Sequence, residues 1–493
     1  MSDLVKPTRR VARFVYFLLF ILVAQLTYLQ FFNAESLEND PNNVRTLIAK
    51  FSRPRGDIVS ADNEVVAYST PSNDQLKFQR NYPKGELFGH ITGYQSFLVG
   101  NTGVEASYNK DLTGKRGEEE NVPRVVLSVR TDVQQLIKDQ LGDRQGAVVV
   151  MEASTGSIVG MYANPSFDPT PLAGHDSAQV QQSFNELVNN PEKPSLSRAF
   201  AERYPPGSTY KILTSAASIE AGLATADRRF SSSAEFIPKQ TNRPIRNFGG
   251  GACGGTLRQA FTQSCNTVFA RLGTELADNF TTYMNAFGIG GTLVDDQNVG
   301  DKPTLDIPGA VGATAPLENS FSQDQPQFAL AGIGQGRVSL SPLSVALMTS
   351  AIANKGFIPT PHVVNHVEDG NGTVKRRVGT SPWKENVISP STANDVTQFM
   401  IDVVQKGTGT RARLPNVTVA GKTGTAQRGC AENDGSCSPH AWFTSFAPAE
   451  NPQYVVTVFI DADGVSGSGD NSTGGRLAAP IAKAIYERLF ATQ

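Results

Sequence analysis

Three short runs hold residue types that together could form and break a serine ester: Ser208-Thr209-Tyr210-Lys211, Ser264-Cys265-Asn266 and Lys422-Thr423-Gly424. A serine hydroxyl attacks a carbonyl well only once a base takes its proton, and a lysine one helical turn away is such a base if burial keeps its amine neutral. Pro205-Pro206-Gly207 cannot continue a helix, whereas Ser208 onward can, so Ser208 is expected at a helix N-terminus, where free backbone N–H groups favour developing negative charge. Lys211 falls on the same face, and Tyr210, Ile212 and Leu213 would desolvate it. Ser264 offers a second hydroxyl to carry the proton from Lys211 to a leaving nitrogen, and Asn266 offers a donor and an acceptor to a peptide-like substrate. Lys422 and Thr423 would bind a substrate carboxylate, and Gly424 would leave the strand edge open to an extended chain. The backbone N–H groups of Thr425 and Ser208 would form an oxyanion hole. The chemistry is acyl transfer through a serine ester.

Each string alone says little. Ser381-Pro382-Trp383-Lys384 also spells S-x-x-K, and Ser107-Tyr108-Asn109 also spells S-x-N. A helix cap followed by a surface lysine, a polar cap between helices and a turn at a strand end would give the same fragments. Lys-Thr-Gly, however, occurs once, and only the set led by Ser208 joins a helix-compatible Ser-Lys pair to the other two fragments downstream in order.

Regular elements must hold these side chains, and the surrounding patterns supply them. Val125–Val129 reads as a strand, Asp132 is expected to cap the helix that follows, and Ala147–Met151 with Ile158–Tyr162 forms a hairpin across a Ser-Thr-Gly turn. Helices are expected from Ser208 to Ala221 before Gly222, from near Thr256 through the second motif, and from Ser341, with Pro342 at the first helical position, to Lys355 before Gly356. Val417–Ala426, Ala441–Phe446 and Tyr454–Ile460 read as strands, and Ala479–Leu489 as a closing helix. Strands at both ends with helices between imply an α+β fold on an antiparallel sheet. From about Arg53 to Asn121 the chain is polar, Gly-rich and short of long apolar runs, as in a small, irregular, partly extended module. No internal repeat is visible, and Gly464–Gly475 forms a Gly- and Ser-rich loop. The expected division is a tail at 1–13, a membrane helix at 14–32, a non-catalytic module at 33–145 and the catalytic domain at 146–493.

Phe14–Phe32 is apolar apart from Gln25, Thr27, Tyr28 and Gln30, and is long enough to cross a bilayer as a helix. Lys6, Arg9, Arg10 and Arg13 precede it and Glu35, Glu38 and Asp40 follow, so a single pass of the cytoplasmic membrane with the N-terminus inside and the catalytic domain exported is expected. A cleaved signal peptide is the competing reading, but the run exceeds a usual signal core and lacks a clear A-x-A site after it. The formal net charge of −2 over 493 residues gives no sign of a nucleic-acid partner. Cys253, Cys265, Cys430 and Cys437 would meet an oxidising compartment, where closeness in the chain favours Cys253–Cys265 and Cys430–Cys437 among three connectivities, with four free thiols as the alternative. Their spacing does not suggest zinc. His362 and His366 stand in a Val-rich, strand-like run without a glutamate between them, so no metal site is expected.

At the three motifs the chain resembles the penicillin-binding protein and serine β-lactamase superfamily, whose S-x-x-K, S-x-N and K-T-G elements match Ser208/Lys211, Ser264/Asn266 and Lys422/Thr423/Gly424. Arg55-Gly56-Asp57-Ile58, Arg198-Ala199, the run YPPGSTYK, Gly334-Gln335-Gly336, Ser341-Pro342-Leu343 and His440-Ala441-Trp442-Phe443 extend the likeness to class B penicillin-binding proteins over nearly all of 50–490. The short membrane-proximal module and the total length are most similar to the short actinobacterial members. The resemblance implies a penicillin-binding transpeptidase fold and a D,D-transpeptidase: Ser208 attacks the penultimate D-Ala carbonyl of a peptidoglycan stem peptide, D-Ala leaves, and an amine of a neighbouring stem resolves the ester. It further implies acylation of Ser208 by β-lactams, no cofactor, and a polytopic glycan polymerase as a partner in the membrane.

Other readings predict different products. A D,D-carboxypeptidase would use water as acceptor, a β-lactamase would turn over bound penicillin rapidly, and a β-lactam-binding scaffold or sensor would keep its role in a Ser208→Ala variant. A bifunctional glycosyltransferase is disfavoured by the short stretch before the catalytic domain.

Overall fold

The computed structural model describes residues 5–32, 48, 51–113, 122–294, 297–315, 324–427, 439–461 and 473–491. The chain divides into two compact units, residues 1–54 with 70–79, and residues 55–69 with 80–493. In the first unit, a helix over Val5–Thr27 continues as a wider π-helical turn at Tyr28–Phe32. Pro7–Phe31 within it is long and apolar enough to cross a membrane, and none of its most apolar stretch is buried against protein.

In the second unit, the catalytic-domain sheet has five strands, ordered Ala420–Ala426, His440–Ala447, Tyr454–Ile460, Gly146–Glu152, Ile158–Asn164, all antiparallel to their neighbours. The hairpin and the three late strands thus form where the apolar runs placed them. Every residue of His440–Ala447 is buried, so both faces are covered. Neighbouring residues on a strand point to opposite faces, and here they name the two layers. Thr444 Oγ1 meets Thr349 Oγ1 at 2.7 Å on the helix Pro342–Ala353, while Ser445 Oγ meets Tyr486 Oη at 3.0 Å on the helix Ala479–Ala491. All twelve residues of Pro342–Ala353 are buried, which is why its sequence is apolar all round. Ser341 caps it by accepting from the Ser344 N–H at 3.1 Å, with Pro342 at the first helical position.

The expected cap by Asp132 is corrected. The helix runs Thr131–Leu141, and Asp62 supplies the capping carboxylate, accepting from the N–H groups of Thr131 at 2.9 Å and Asp132 at 3.3 Å. Asp132, inside the first turn, keeps one part of the expected role by accepting from the Val133 N–H at 2.8 Å, and it also binds Arg130 and Arg488, tying this helix to the closing one.

A second sheet crosses the boundary expected at residue 145. Ile58–Val59 pairs in parallel with Val125–Val126, and Arg124–Leu127 pairs antiparallel with Val364–Glu368 from far down the chain. Beside it, Glu105 is fully buried between two guanidinium groups, accepting from Arg55 Nε and, at 2.7 Å, from Arg80 Nε. Tyr82 Oη also donates to Glu105, at 3.2 Å, and Arg55 reaches the Glu105 carbonyl at 2.7 Å and Asn109 Oδ1 at 2.8 Å. Arg55 and Asn109 therefore have structural work: the Ser107-Tyr108-Asn109 string is a brace.

Candidate active site

The serine run forms a tight 3-10 turn over Gly207–Tyr210, and the α-helix begins only at Lys211 and ends at Glu220. The expected helix start at Ser208 is thus a tighter turn, made possible by Gly207 at φ +53°. Gly207 N–H donates to the Gly334 carbonyl at 3.0 Å, and Thr209 Oγ1 donates back to Pro206 O at 2.8 Å. A Cβ on Gly334 would lie 2.2 Å from Gly207 O, and one on Gly207 would lie 2.8 Å from Thr425 O. Two glycines let the turn wedge between the 334 loop and the strand Ala420–Ala426, with Ser208 half-buried at its tip.

Lys211 is fully buried and donates to three oxygens: Ser264 O at 2.7 Å, Ser264 Oγ at 3.2 Å and Asn266 Oδ1 at 2.8 Å. Its amine lies 5.3 Å from the centre of the Phe269 ring. Burial, aided by the charge of Lys422, holds the amine well below the ordinary lysine range. Lys422, from the strand Ala420–Ala426, is also fully buried, 5.5 Å from the centre of the Phe261 ring, and donates to the same Ser264 Oγ at 2.9 Å. Burial lowers it to about 7. One hydroxyl thus receives two amines. Among the described residues Lys211 makes no hydrogen bond to Ser208, so the expected Ser-Lys pairing is replaced in this resting arrangement by pairing with the second motif.

Ser264 lies at the junction of two helices rather than inside one. Thr256 caps Leu257–Thr262 in a reciprocal box with Gln259; Ser264 then turns at φ +61°, and a new helix starts at Asn266. Asn266 is largely committed internally, with Oδ1 to Lys211 and Nδ2 donating to Arg246 O at 2.9 Å. Of the donor and acceptor expected for substrate, one amide N–H and one lone pair of Oδ1 are left. Cys265 bonds to Cys253, as closeness in sequence suggested; Cys430 and Cys437, like most of the Gly464–Gly475 loop, lie outside the described residues.

Ala420–Ala426 lies at an edge of the five-stranded sheet, its other side paired with Thr444 opposite Lys422 and Trp442 opposite Gly424. Lys422 therefore shares the face of Thr444, toward the helices. Gly424 has a different reason from the one expected: a Cβ there would meet Trp442 Cβ at 2.8 Å and Pro206 O and Thr209 Cγ2 at 2.9 Å. The glycine lets the strand approach the serine turn. Thr423 Oγ1 is held by Thr408 Oγ1 at 2.6 Å, and Thr425 stands half-buried near the strand end.

The decoy at Ser381 separates cleanly, because Pro382–Lys384 is a strand and Lys384 pairs with Asp301. His362 meets the carbonyl of Thr360 at 3.1 Å and His366 meets Glu368 at 2.8 Å. Motif reading missed Thr408, the Phe261 and Phe269 rings and the Arg246 carbonyl; only Gly334 had a signal, in Gly334-Gln335-Gly336.

A serine on a glycine-freed turn, two buried lysines meeting on a second serine and a K-T-G strand at a sheet edge define a serine acyltransferase site on an α+β scaffold. Residues 146–487 match the family described as "Penicillin binding protein transpeptidase domain". Residues 55–134 match the "Penicillin binding protein A dimerisation domain". The chain belongs to the class B penicillin-binding protein transpeptidases. The protein named peptidoglycan D,D-transpeptidase PbpA of Mycolicibacterium smegmatis is 32% identical over 499 residues, covering 97% of both chains. The protein of the same name from Mycobacterium tuberculosis is 32% identical over 507 residues, covering 97% of this chain and 98% of its own. Among solved structures, the ceftriaxone acyl-enzyme complex of penicillin-binding protein A from M. tuberculosis superposes with a TM-score of 0.79 at 30% identity, over 89% of this chain and 99% of that one.

Proposed function

We propose that this chain is a peptidoglycan D,D-transpeptidase in which Ser208 carries the acyl group. The observation that carries this reading is the meeting of Lys211 and Lys422 on Ser264 Oγ beside the Ser208 turn. Substrate would enter as an extended peptide along the edge of Ala420–Ala426, its terminal carboxylate held by Lys422 and Thr423. The neutral Lys211 amine takes the Ser208 proton as Oγ bonds to the penultimate D-Ala carbonyl carbon, and the N–H groups of Ser208 and Thr425 bind the oxyanion. The intermediate expels the D-Ala nitrogen, which gains a proton through the Ser264 hydroxyl while that hydroxyl is resupplied by a lysine. Asn266 orients the peptide, and Gly424 keeps the strand close to the nucleophile. An amine of a second stem peptide then attacks the ester, forming the cross-link and returning the proton to Ser208. A β-lactam would follow the first half and stop at the ester.

The anchor would pass the cytoplasmic membrane once with the basic tail inside, placing 146–493 outside, where stem peptides lie; residues 33–145 would serve as a non-catalytic module beside a membrane-embedded glycan polymerase. Fluorescent penicillin should label the wild type and fail to label Ser208→Ala or Lys211→Ala. Mass spectrometry of stem-peptide products with an added amine should show the cross-linked amide; hydrolysis alone would replace this reading with a carboxypeptidase, and undiminished labelling of Ser208→Ala would overturn it.

A further inference from the structure

Outside the N-terminal helix, the two most exposed large apolar side chains among the described residues are Phe248 at 61% and Ile237 at 51%. Apolar groups scattered singly over a surface need no explanation, but these two flank one small hairpin, in which Glu235–Phe236 pairs antiparallel with Ile245–Arg246. Between and beside those strands stand Lys239, Arg243 and Arg246, all exposed, against a single carboxylate, Glu235. Glu235 lies opposite Arg246, 3.5 Å from its Nη2, while Lys239 and Arg243 have no acidic partner among the described residues. An exposed aromatic ring beside an arginine has the composition of a recognition surface.

This surface adjoins the acylation site. The Arg246 carbonyl accepts from Asn266 Nδ2 at 2.9 Å, so the residue whose backbone meets the second motif also presents its guanidinium to solvent, 65% exposed. Asn247 is turned inward, its Oδ1 accepting from the Thr267 N–H at 3.0 Å and its Nδ2 donating to Ser233 O at 2.8 Å. With Asn247 buried, its neighbours Arg246 and Phe248 are left outward. At the far end of the hairpin, Gln240 Oε1 accepts from the Gln325 N–H at 2.9 Å. The surface is thus held at both ends before any ligand arrives, and little ordering opposes binding.

We infer that this hairpin recognises an acidic peptide segment upstream of the reacting carbonyl, with Arg246 meeting a carboxylate and Phe248 an apolar stem. This rests on the proposed acyl transfer through Ser208. A donor peptide whose terminal carboxylate lies at Lys422 and Thr423 and whose backbone is oriented by Asn266 reaches Arg246 next, because Asn266 and Arg246 are in direct contact. Arg246 then decides which donors are taken, and the proton transfers at Ser208 proceed as before.

The test compares the full chain with its Arg246→Gln variant, using benzylpenicillin and α-carboxybenzylpenicillin, which differ by one carboxylate on the side chain that takes the place of the upstream segment. The substitution leaves the residue 246 carbonyl free to keep its bond to Asn266. At low salt the second-order acylation constant for the α-carboxy compound should fall about threefold or more further than that for benzylpenicillin, with the melting temperature unchanged. The gap should narrow in about 0.5 M salt. Phe248→Ser should lower both constants by a similar factor. A loss in Arg246→Gln that is equal for the two penicillins, or no loss, would overturn the inference. The reading independent of acylation is calorimetric binding, to a Ser208→Ala chain, of two peptides ending in D-Ala-D-Ala that carry glutamate or glutamine upstream. The glutamate peptide should bind more tightly and lose its advantage when Arg246→Gln is added; equal binding of the two would overturn the surface even if Ser208 proved unreactive. A glutamate preference that depends on Arg246, in a protein whose Ser208 takes no penicillin, would overturn the proposed function and leave the surface standing.

Discussion

At the scale of residues, the site is an arrangement of protons among four groups: the Ser208 hydroxyl, two buried amines and the Ser264 hydroxyl they share. Two protonated lysines cannot face one hydroxyl cheaply in a dry interior, so at least one amine is pushed toward neutrality. Burial lowers both, with Lys422 reaching about 7. A base works only when unprotonated, so penicillin acylation is expected to rise with pH as the Lys211 amine, held well below the ordinary lysine range, loses its proton, and to fade on acidification; a stopped-flow profile flat from acid to alkaline pH would contradict the assignment. Lys211→Ala should lose on the order of 10²- to 10⁴-fold in acylation rate. Thr408 supports Thr423 through a 2.6 Å contact, so Thr408→Val should weaken noncovalent β-lactam binding more than the acylation step.

At the scale of elements, glycines decide how close the serine turn can come to the strand it serves. Gly334→Ala would place a methyl 2.2 Å from Gly207 O, and at φ +70° alanine is strained as well. The turn must shift, so penicillin labelling should fall steeply, while thermal denaturation reads a loss of about 1–3 kcal/mol. Labelling at the wild-type rate would show that the turn is held by something else.

Elements whose partners are local were legible in sequence. The hairpin at 146–164, the helix from Pro342 and the disulfide between Cys253 and Cys265 all depend on nearby residues or on an apolar period. What was missed depends on distant ones: Asp62 capping a helix that starts at Thr131, Asn247 capping the helix that starts at Asn266, and Val364–Glu368 pairing with Arg124–Leu127. An asparagine in Arg-Asn-Phe-Gly-Gly has the composition of a turn, and composition carries no trace of the N–H group it will meet. The three motifs were legible as strings, but their geometry was not. Gly424 fits an open strand edge and a close internal approach equally well on paper, and Lys211 could be aimed at either serine.

At the scale of the whole molecule, the buried Arg55–Glu105–Arg80 cluster is a costly place to remove a charge. Burial alone would raise the Glu105 carboxyl, but the two guanidinium groups and their hydrogen bonds outweigh it and hold it below the ordinary value of 4.5. A depressed carboxyl adds stability above that value and loses it as the pH falls through its folded pKa, so acid should loosen this region. Glu105→Gln leaves two buried cations without their counter-ion and is expected to cost about 3–5 kcal/mol, read by thermal or denaturant unfolding. A variant as stable as the wild type would show that the cluster relaxes by admitting water.

The sheet order has a consequence in time. Gly146–Glu152 is hydrogen-bonded to Tyr454–Ile460, so strands from the two ends of the catalytic domain are direct neighbours, and the K-T-G strand joins the hairpin through His440–Ala447 and Tyr454–Ile460. Such pairings must close a very long loop before any contact rewards the ordering. The nucleophile can be synthesised and even turned correctly, yet it has no finished site until the last strand arrives. A nascent chain released before Tyr454 should therefore be inert to penicillin, and the interval between completion of the chain and its first reaction with penicillin measures the folding of the whole sheet.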